Sequence, residues 1–449
     1  MNIRKLVLLT AAMMLLVFSS CKKETVDVTD LLTTVPSSAG GVIVFNLESM
    51  LEDAGCKIKD HSVTPSPEVL ALIEKSSPQD KKGFMMLFEG NSGIEPKGAV
   101  VFYDSNRTYL TFALYDVAKF CEFVEMQDGM KFGNEEDGVK IAGNVAVKGA
   151  QAWVCLNGNK RLDSDVISSY SGLNSSQSFL VTPMGESLLV SEKDIRGWAL
   201  LKTMMNEMLD RYNRNVANMA QSFLFEDAES LKFEVDFEKG KIESEAMLMN
   251  EKFKPAKYQL PAEKIDIKTL KDLGSTCDAM MAFTVTPKLI KKFDQLGNAF
   301  GGALFGDLGD MFKNIDGTVG VIASGEGVGE SLQGVITTKG DVSQSLRDMI
   351  SKSLAPISIE GKLLKFSKGD VKGALSVEEC ADLLKGSCFG IVLDASGLNS
   401  VGYAGNPAMG GYKELCFRMS PESGGLEFEF EITLQDSNEN SLLRVLKTM

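Results

Sequence analysis

Histidine is nearly missing from this chain: a single one, His61, stands among 449 residues. A metal centre built on two imidazoles is therefore excluded, and at most one Ser-His-Asp arrangement is possible. Basic charge is in deficit, with 47 Lys and Arg against 61 Asp and Glu, so a phosphate-binding nucleic-acid surface is not expected. No C-x-x-C pair, Walker loop, H-E-x-x-H or G-x-S-x-G occurs. Gly329-Glu330-Ser331-Leu332-Gln333-Gly334 places its second glycine one residue late for a nucleophile elbow. Gly325, Gly327 and Gly329 lack the third glycine of a dinucleotide loop, and Glu326 and Glu330 would repel phosphate. No catalytic residue, cofactor or metal ligand is nominated, and the protein is not expected to be an enzyme. What remains is ordinary globular composition, 44% hydrophobic and 24% charged, at a length that suits two or three domains.

The first twenty residues read as a secretory leader. Arg4 and Lys5 form a basic start, and Leu6 to Phe18 is apolar apart from Thr10. Thirteen helical residues reach only about 20 Å, too short for a hydrocarbon core of roughly 30 Å. Ser19 and Ser20 then precede Cys21, in the manner of a bacterial lipobox, with Phe18 where leucine is usual. Cys21 is the expected lipidation site and mature N-terminus, with ordinary cleavage as the alternative. Two or more acyl chains hold a protein stably to a bilayer. Removing residues 1–20 takes away Arg4 and Lys5 and no acid, which moves the formal charge from −14 to −16. Residues 21–38 are polar enough to read as an unpacked tether. Lys22 is not the aspartate that retains lipoproteins in the enterobacterial inner membrane, so by analogy the outer membrane is expected, facing either the periplasm or the surface.

Seven further cysteines, Cys56, Cys121, Cys155, Cys277, Cys380, Cys388 and Cys416, fall largely within apolar runs. They read as buried free thiols, with a disulfide involving Cys380 or Cys388 as the alternative in an exported protein.

The order of elements repeats. Gly41 to Leu47 reads as a strand followed by a helix from Glu48 to Ala54, and Asp278 to Val285 as a strand followed by a helix opened by Pro287. A hairpin spans Gly98–Tyr103 and Tyr109–Tyr115, with Asp116 capping a helix from Val117. Its echo spans Gly317–Ile322 and Leu332–Thr338, with Asp341 capping a helix to about Met349. Each half closes on an alternating hairpin: Leu231, Phe233, Val235 and Phe237 alternate with Lys232, Glu234, Asp236 and Glu238, and Glu414–Met419 returns as Leu426–Leu434. Alternation predicts one buried and one wet face. The expected organisation is a leader at 1–20, a tether at 21–38, an α+β domain at 39–252, a linker at 253–269 and a second α+β domain at 270–449. Each domain is expected to be a mainly antiparallel sheet with flanking helices.

Two amphipathic helices are predicted as well. One carries Trp198, Leu201, Met205, Met208, Tyr212, Val216, Met219 and Phe223, with Asp194 at its start. The other, from Leu289 to Met311, holds five glycines and reads either as close backbone packing or as a mobile apolar flap.

The candidate ligand or partner surface is acidic. Glu427, Glu429 and Glu431 share one strand face, and Glu234 and Asp236 share the matching face in the first half. Same-face neighbours lie about 7 Å apart, near the spacing of inverting glycosidase acids, although any solvated strand with alternating Glu gives it. His61, in a proline-rich stretch, reads as a surface residue, and paired methionines such as Met205 and Met208 read as core filling.

The end of the leader, Ser19-Ser20-Cys21-Lys22-Lys23, together with Thr34 to Ala39, the strand Val42 to Leu47 and the helix Glu48 to Gly55, resembles the domain-of-unknown-function 4836 family of Bacteroidota lipoproteins. A later strand–hairpin–helix, Ala99 to Glu125, fits the same pattern. The resemblance covers most of residues 30–449. It implies an envelope location and an α+β body, and no activity or catalytic residues. The expected role is therefore a lipid-anchored envelope protein that binds a ligand or acts as a scaffold, its membrane contact made through the N-terminal lipid and its protein or glycan partner unspecified. The alternatives are a carboxylate-based envelope glycan hydrolase and a subunit of an envelope complex.

Overall fold

Short runs of Val, Ile, Phe and Ala, each bounded by glycine or a polar turn, build mainly antiparallel β-structure. The computed structural model describes residues 28–157, 162–208, 213, 224–259, 263–292, 312–325, 331–395 and 411–448. The chain divides into two units that interleave in sequence: residues 1–210, 230–242 and 438–449 form the first, and 211–229 with 243–437 the second. The fold class is α+β.

In the first unit the central strand is β1 (Gly41–Asn46), whose Val42 and Val44 are buried. It lies between β4 (Ile94–Asp104) and β9 (Ile195–Leu200). Beyond β4 come β5 (Arg107–Leu114), β8 (Gln151–Cys155), β7 (Val145–Lys148) and β6 (Val139–Ala142). Beyond β9 lies β10 (Ser230–Glu238), after which Lys239 and Gly240 lead into β11 (Lys241–Met249), whose residues from Glu243 onward belong to the second unit. Ser105 and Asn106 both have φ above +50°, so the β4–β5 connection is a two-residue hairpin turn matched to the strand twist. A small hairpin, β2 (Lys57–Lys59) and β3 (Ser62–Thr64), stands apart. The helices are α1 (Val28–Thr33), α2 (Leu47–Asp53), α3 (Pro67–Glu74), α4 (Pro78–Phe88), α5 (Val117–Asp128), α6 (Ser164–Ser171), α7 (Pro183–Val190), α8 (Leu201–Met208) and, at the chain's end, α12 (Ser441–Thr448). Asp116 Oδ1 accepts from Lys119 N at 3.0 Å, the cap expected for α5.

The second unit threads its sheet in the same order. Its central strand β13 (Ala279–Val285) lies between β14 (Ile315–Ser324) and β19 (Phe389–Asp394). Outward from β14 come β15 (Ser331–Thr338), β17 (Leu363–Lys368) and β16 (Ile357–Glu360). Outward from β19 come β20 (Tyr412–Glu422) and β21 (Gly425–Leu434). Helices α9 (Ile267–Lys271), α10 (Gln344–Ser353) and α11 (Val377–Leu383) accompany it, with a two-residue ladder of β12 (Thr276–Cys277) and β18 (Leu375–Ser376). Leu270, Met280, Ile322, Val377, Leu384 and Val392 form part of one core, closed by the buried thiols of Cys277, Cys380 and Cys416.

Several expectations change. The tether does not extend to 38: Leu31, Leu32 and Val35 are buried, and Ser37 N donates to Gln177 O. Apolar residues spaced to pack draw this stretch into the first unit. The segment expected as a linker at 253–269 is a packed strap of the second unit. Ala256 and Ile265 are buried, Ala256 N donates to Leu248 O, and Ile265 N donates to Ser387 O. The units are accordingly not the two continuous blocks 39–252 and 270–449. Trp198 is in strand β9, not a helix; α8 begins only at Leu201, because the 195–200 backbone pairs with both β1 and β10. Tyr212, Val216, Met219 and Phe223 lie outside the described residues, as do 293–311 of the glycine-rich segment. The cap of α10 is Ser343, whose Oγ accepts from Leu346 N at 3.2 Å, rather than Asp341. No described helix is long and apolar enough to cross a membrane.

Candidate functional site

The five acids singled out in sequence occupy two places. Glu427, Glu429 and Glu431 lie on β21 in the second unit, Glu234 and Asp236 on β10 in the first. All five are half-buried, and so are Leu231, Phe233 and Val235 on the other face of β10. Phe430, expected inside, is exposed. The strict wet-face, buried-face division therefore fails on these strands: Glu429, Glu234 and Asp236 pack against basic partners instead of standing in solvent.

Glu429 is the clearest case. Antiparallel register sets Arg418 directly opposite it, and the guanidinium grips one carboxylate oxygen through Nε at 2.7 Å and through Nη2. Ser420 Oγ donates to the other oxygen at 2.8 Å, while Arg418 Nη1 donates to Leu383 O at 3.0 Å. This hydrogen-bonded pairing pushes the Arg418 pKa up. Glu427 has no such clamp: burial pushes its carboxyl up, and Glu245, Glu429 and Glu422 push the same way. A cavity of about 30 Å³ opens between Arg418, Glu429, Glu431 and Glu245, room for about one water. Sites that take small organic ligands run to about 300 Å³ and above.

In the first unit Lys232 Nζ lies 3.1 Å from Glu234, and register places buried Arg196 opposite it. Lys193 Nζ donates to Asp236 at 2.8 Å. Two further carboxyls, not singled out in sequence, join this cluster. Asp194 is fully buried; burial raises its pKa to about 6 against the pull of Phe237 N, which donates to Oδ2 at 2.8 Å, and of Ser49, while Asp236 adds to the rise. Asp53 is raised to about 7, chiefly by burial and then by Asp194 and Asp236. Local sequence around Asp194 read as a helix start, so its role as a buried acceptor for the β10 backbone was invisible.

His61 was expected at the surface. It sits instead in the β2–β3 turn, with its ring stacked on Tyr115 at 3.9 Å and 5°. Its Nδ1 is 3.2 Å from Oε2 of Glu95, whose side chain is 1% exposed, at an angle that makes no hydrogen bond. Burial lowers the His61 pKa, helped by Lys119 and Lys97 against Asp60. Burial likewise raises Glu95 to about 7 against Lys97. Both groups are driven toward their neutral forms, so the contact is a near-neutral imidazole–carboxyl pair rather than a firm ion pair. Lys119 Nζ stands 5.3 Å over the Tyr115 ring and 3.3 Å from its hydroxyl, which itself donates to Gly90 O. Gly90 has φ +67°, and a Cβ there would meet His61 O at 2.5 Å, so the close approach requires glycine. No local sequence signal marks the pair: Glu95 lies within the break in register between Ile94 and Ala99, an irregularity that only the fold reveals.

The second unit also holds a cavity of about 350 Å³ between β15, β16, β17 and the α9 end. Leu273, Val335, Ile357 and Phe366 supply apolar wall; Gln333 and Lys365 supply polar groups. The Phe366 ring lies over Gly334, where a Cβ would come within 2.0 Å of Cζ. Six of the seven cysteines are buried, and Cys121 is half-buried.

No family model and no curated protein matches the chain. Among solved structures it is similar to crystal form I of TP0453, at 10% identity over 78% of this chain and 95% of that one, with a TM-score of 0.30. For crystal form III the values are 11%, 78%, 96% and 0.32. A likeness that distant carries no argument about activity.

Proposed function

We propose that this is a lipid-anchored protein of the cell envelope, acylated at Cys21, whose body binds a ligand without transforming it. The observation that carries the binding half is the cavity of about 350 Å³ in the second unit, whose lining mixes apolar side chains such as Val335 and Phe366 with polar ones such as Asp272 and Gln333. The anchor half rests on the leader and on Cys21 directly after Ser19 and Ser20. Membership of the domain-of-unknown-function 4836 family and an outer-membrane address belong to the same proposal. A glycan hydrolase working through Glu427 and Glu429 is disfavoured. Arg418 occupies Glu429, and the adjoining space of about 30 Å³ does not admit a sugar ring.

Binding is tested with the neutral apolar dye N-phenyl-1-naphthylamine, because Lys365 is already bonded to Glu360 and Asp272 also lines the cavity. Wild-type protein should enhance the dye's fluorescence, and Ser358→Trp, which fills the cavity, should abolish the enhancement while the circular dichroism stays native. Equal enhancement by both proteins would place the dye elsewhere and remove the cavity from the account.

A second reading, a subunit of an envelope complex, is favoured by one feature. Strand β16 pairs only with β17 among the described residues, and it carries Ile359 48% exposed near exposed Leu354. Such an edge is available to a partner strand.

A further inference from the structure

The place where the chain enters the fold is well defined. Val28 opens α1 against β4, so closely that a Cβ at Gly98 would lie 2.3 Å from Val28 Cγ2. Gly98 is paired with Asn46, the last residue of β1. Asn46 in turn donates through its backbone to Asp194 O and through Nδ2 to Glu192 O. Two residues before Glu192 is Val190, the last residue of α7, a helix that packs against α1. Val190 is 79% exposed, more than any other large apolar side chain among the described residues. The entry point of the chain and this bare valine therefore share one end of the first unit's sheet.

Chain length sets how far that end can stand from a membrane. Only seven residue steps separate Cys21 from Val28. Fully extended, they span at most about 25 Å. If the sulfur of Cys21 carries acyl chains, this end of the sheet is held beside the bilayer, while the β4–β5 turn, six residues along β4 from Gly98, is directed about 20 Å away from it. Charges of both signs border the entry: Glu192 is exposed, Glu48, Lys97 and Lys193 are half-buried, Lys193 is bonded to Asp236, and Lys22 and Lys23 follow Cys21 in sequence. Mixed charge beside a bare aliphatic side chain fits zwitterionic headgroups, which carry both signs.

We propose that the sheet end marked by Val28, Gly98 and Val190 is a docking surface for a zwitterionic bilayer, with Val190 entering the headgroup layer. This rests on the acylation of Cys21 proposed above. It adds that the body has a fixed membrane-facing end and does not tumble on a long leash.

The test uses the full acylated protein bound to phosphatidylethanolamine–phosphatidylcholine vesicles that carry a nitroxide on the lipid headgroup. An indole is introduced by Val190→Trp at the docking end, or by Arg107→Trp at the far turn; the native Trp153 and Trp198 are buried and are subtracted as background. Flotation with the vesicles is measured first. Protein that does not float contradicts the anchor and removes the docking surface with it. If the protein floats, the indole from Val190→Trp should be quenched several-fold more than that from Arg107→Trp. Equal quenching, or stronger quenching at the Arg107 position, overturns the docking surface and leaves the anchor standing. Concentration-dependent shielding of the Val190→Trp indole without lipid would assign the face to a second copy and also overturns the proposal.

Discussion

Single carboxyls give this protein an unusual pH dependence. Glu95 is raised from 4.5 to about 7, and Asp53 from 3.8 to about 7. A carboxyl whose folded pKa exceeds its unfolded one favours the native state while it is protonated. That stabilisation is complete below the unfolded value and is lost as pH rises through the folded value. Their share of the stability should therefore fall between about pH 4 and 7. His61 runs the other way: its pKa is lowered from 6.5, so its contribution is present above 6.5 and fades as pH falls. Glu95→Gln removes the ionisable carboxyl and should raise the free energy of urea unfolding at pH 8 by roughly 1–3 kcal/mol. The gain should vanish at pH 4, where wild-type Glu95 is protonated as well. A gain that persists unchanged at pH 4 would show that Glu95 is not held neutral. Arg418 behaves oppositely: Arg418→Ala strands half-buried Glu429 and should cost about 1–3 kcal/mol, most of it recovered when Glu429→Ala is added. None of this residue-scale chemistry was legible from local sequence. His61 and Glu95 lie thirty-four positions apart, and only the turn between β2 and β3, together with the irregular start of β4, brings them into contact.

At the scale of elements, periodicity reported strands better than helix boundaries. The hairpins β4–β5 and β20–β21 were legible because alternation and turn residues agree. Trp198 was misread because β9 passes straight into α8 with no intervening turn, so the helical spacing of Leu201 and Met205 ran back onto a strand residue by coincidence. The cap of α10 was misplaced because Asp341 and Ser343 are both capping types two residues apart, and only the fold chooses between them. The apolar pair Leu31 and Leu32 was too short to mark a helix, yet it is fully packed. Cross-strand glycines were equally silent. Gly197 lies under Phe233 in the first unit as Gly334 lies under Phe366 in the second, each a notch for an aromatic ring. Gly334→Ala should displace the Phe366 ring and lower the urea midpoint, a loss of about 1–3 kcal/mol in stability with the denaturant slope unchanged. An unaltered midpoint would mean that the ring has room to move.

For the whole molecule, the order of strands reproduces the echo seen in sequence, while the division of the chain does not. Each sheet places its first strand at the centre, between the near strand of the next hairpin and the strand that follows a helix. The units nevertheless interleave, since residues 211–229 belong with the second and 438–449 with the first. A composition shift such as the four lysines of 253–268 marks solvent exposure of side chains, not a break in packing, which is why a linker was expected where a strap is found. The proposed N-terminal anchor is the reverse case, read entirely from the first twenty-one residues and independent of the fold. It is also the claim on which the proposed membrane-facing end of the molecule depends. The most direct test is intact mass spectrometry of the mature protein, expressed with its leader in a Bacteroidota host and recovered from the membrane fraction. The account predicts a chain that begins at Cys21 and carries the mass of a diacylglyceryl group, and a Cys21→Ser variant that loses both the added mass and the membrane fraction. A wild-type chain of unmodified mass that begins at any other residue would contradict it.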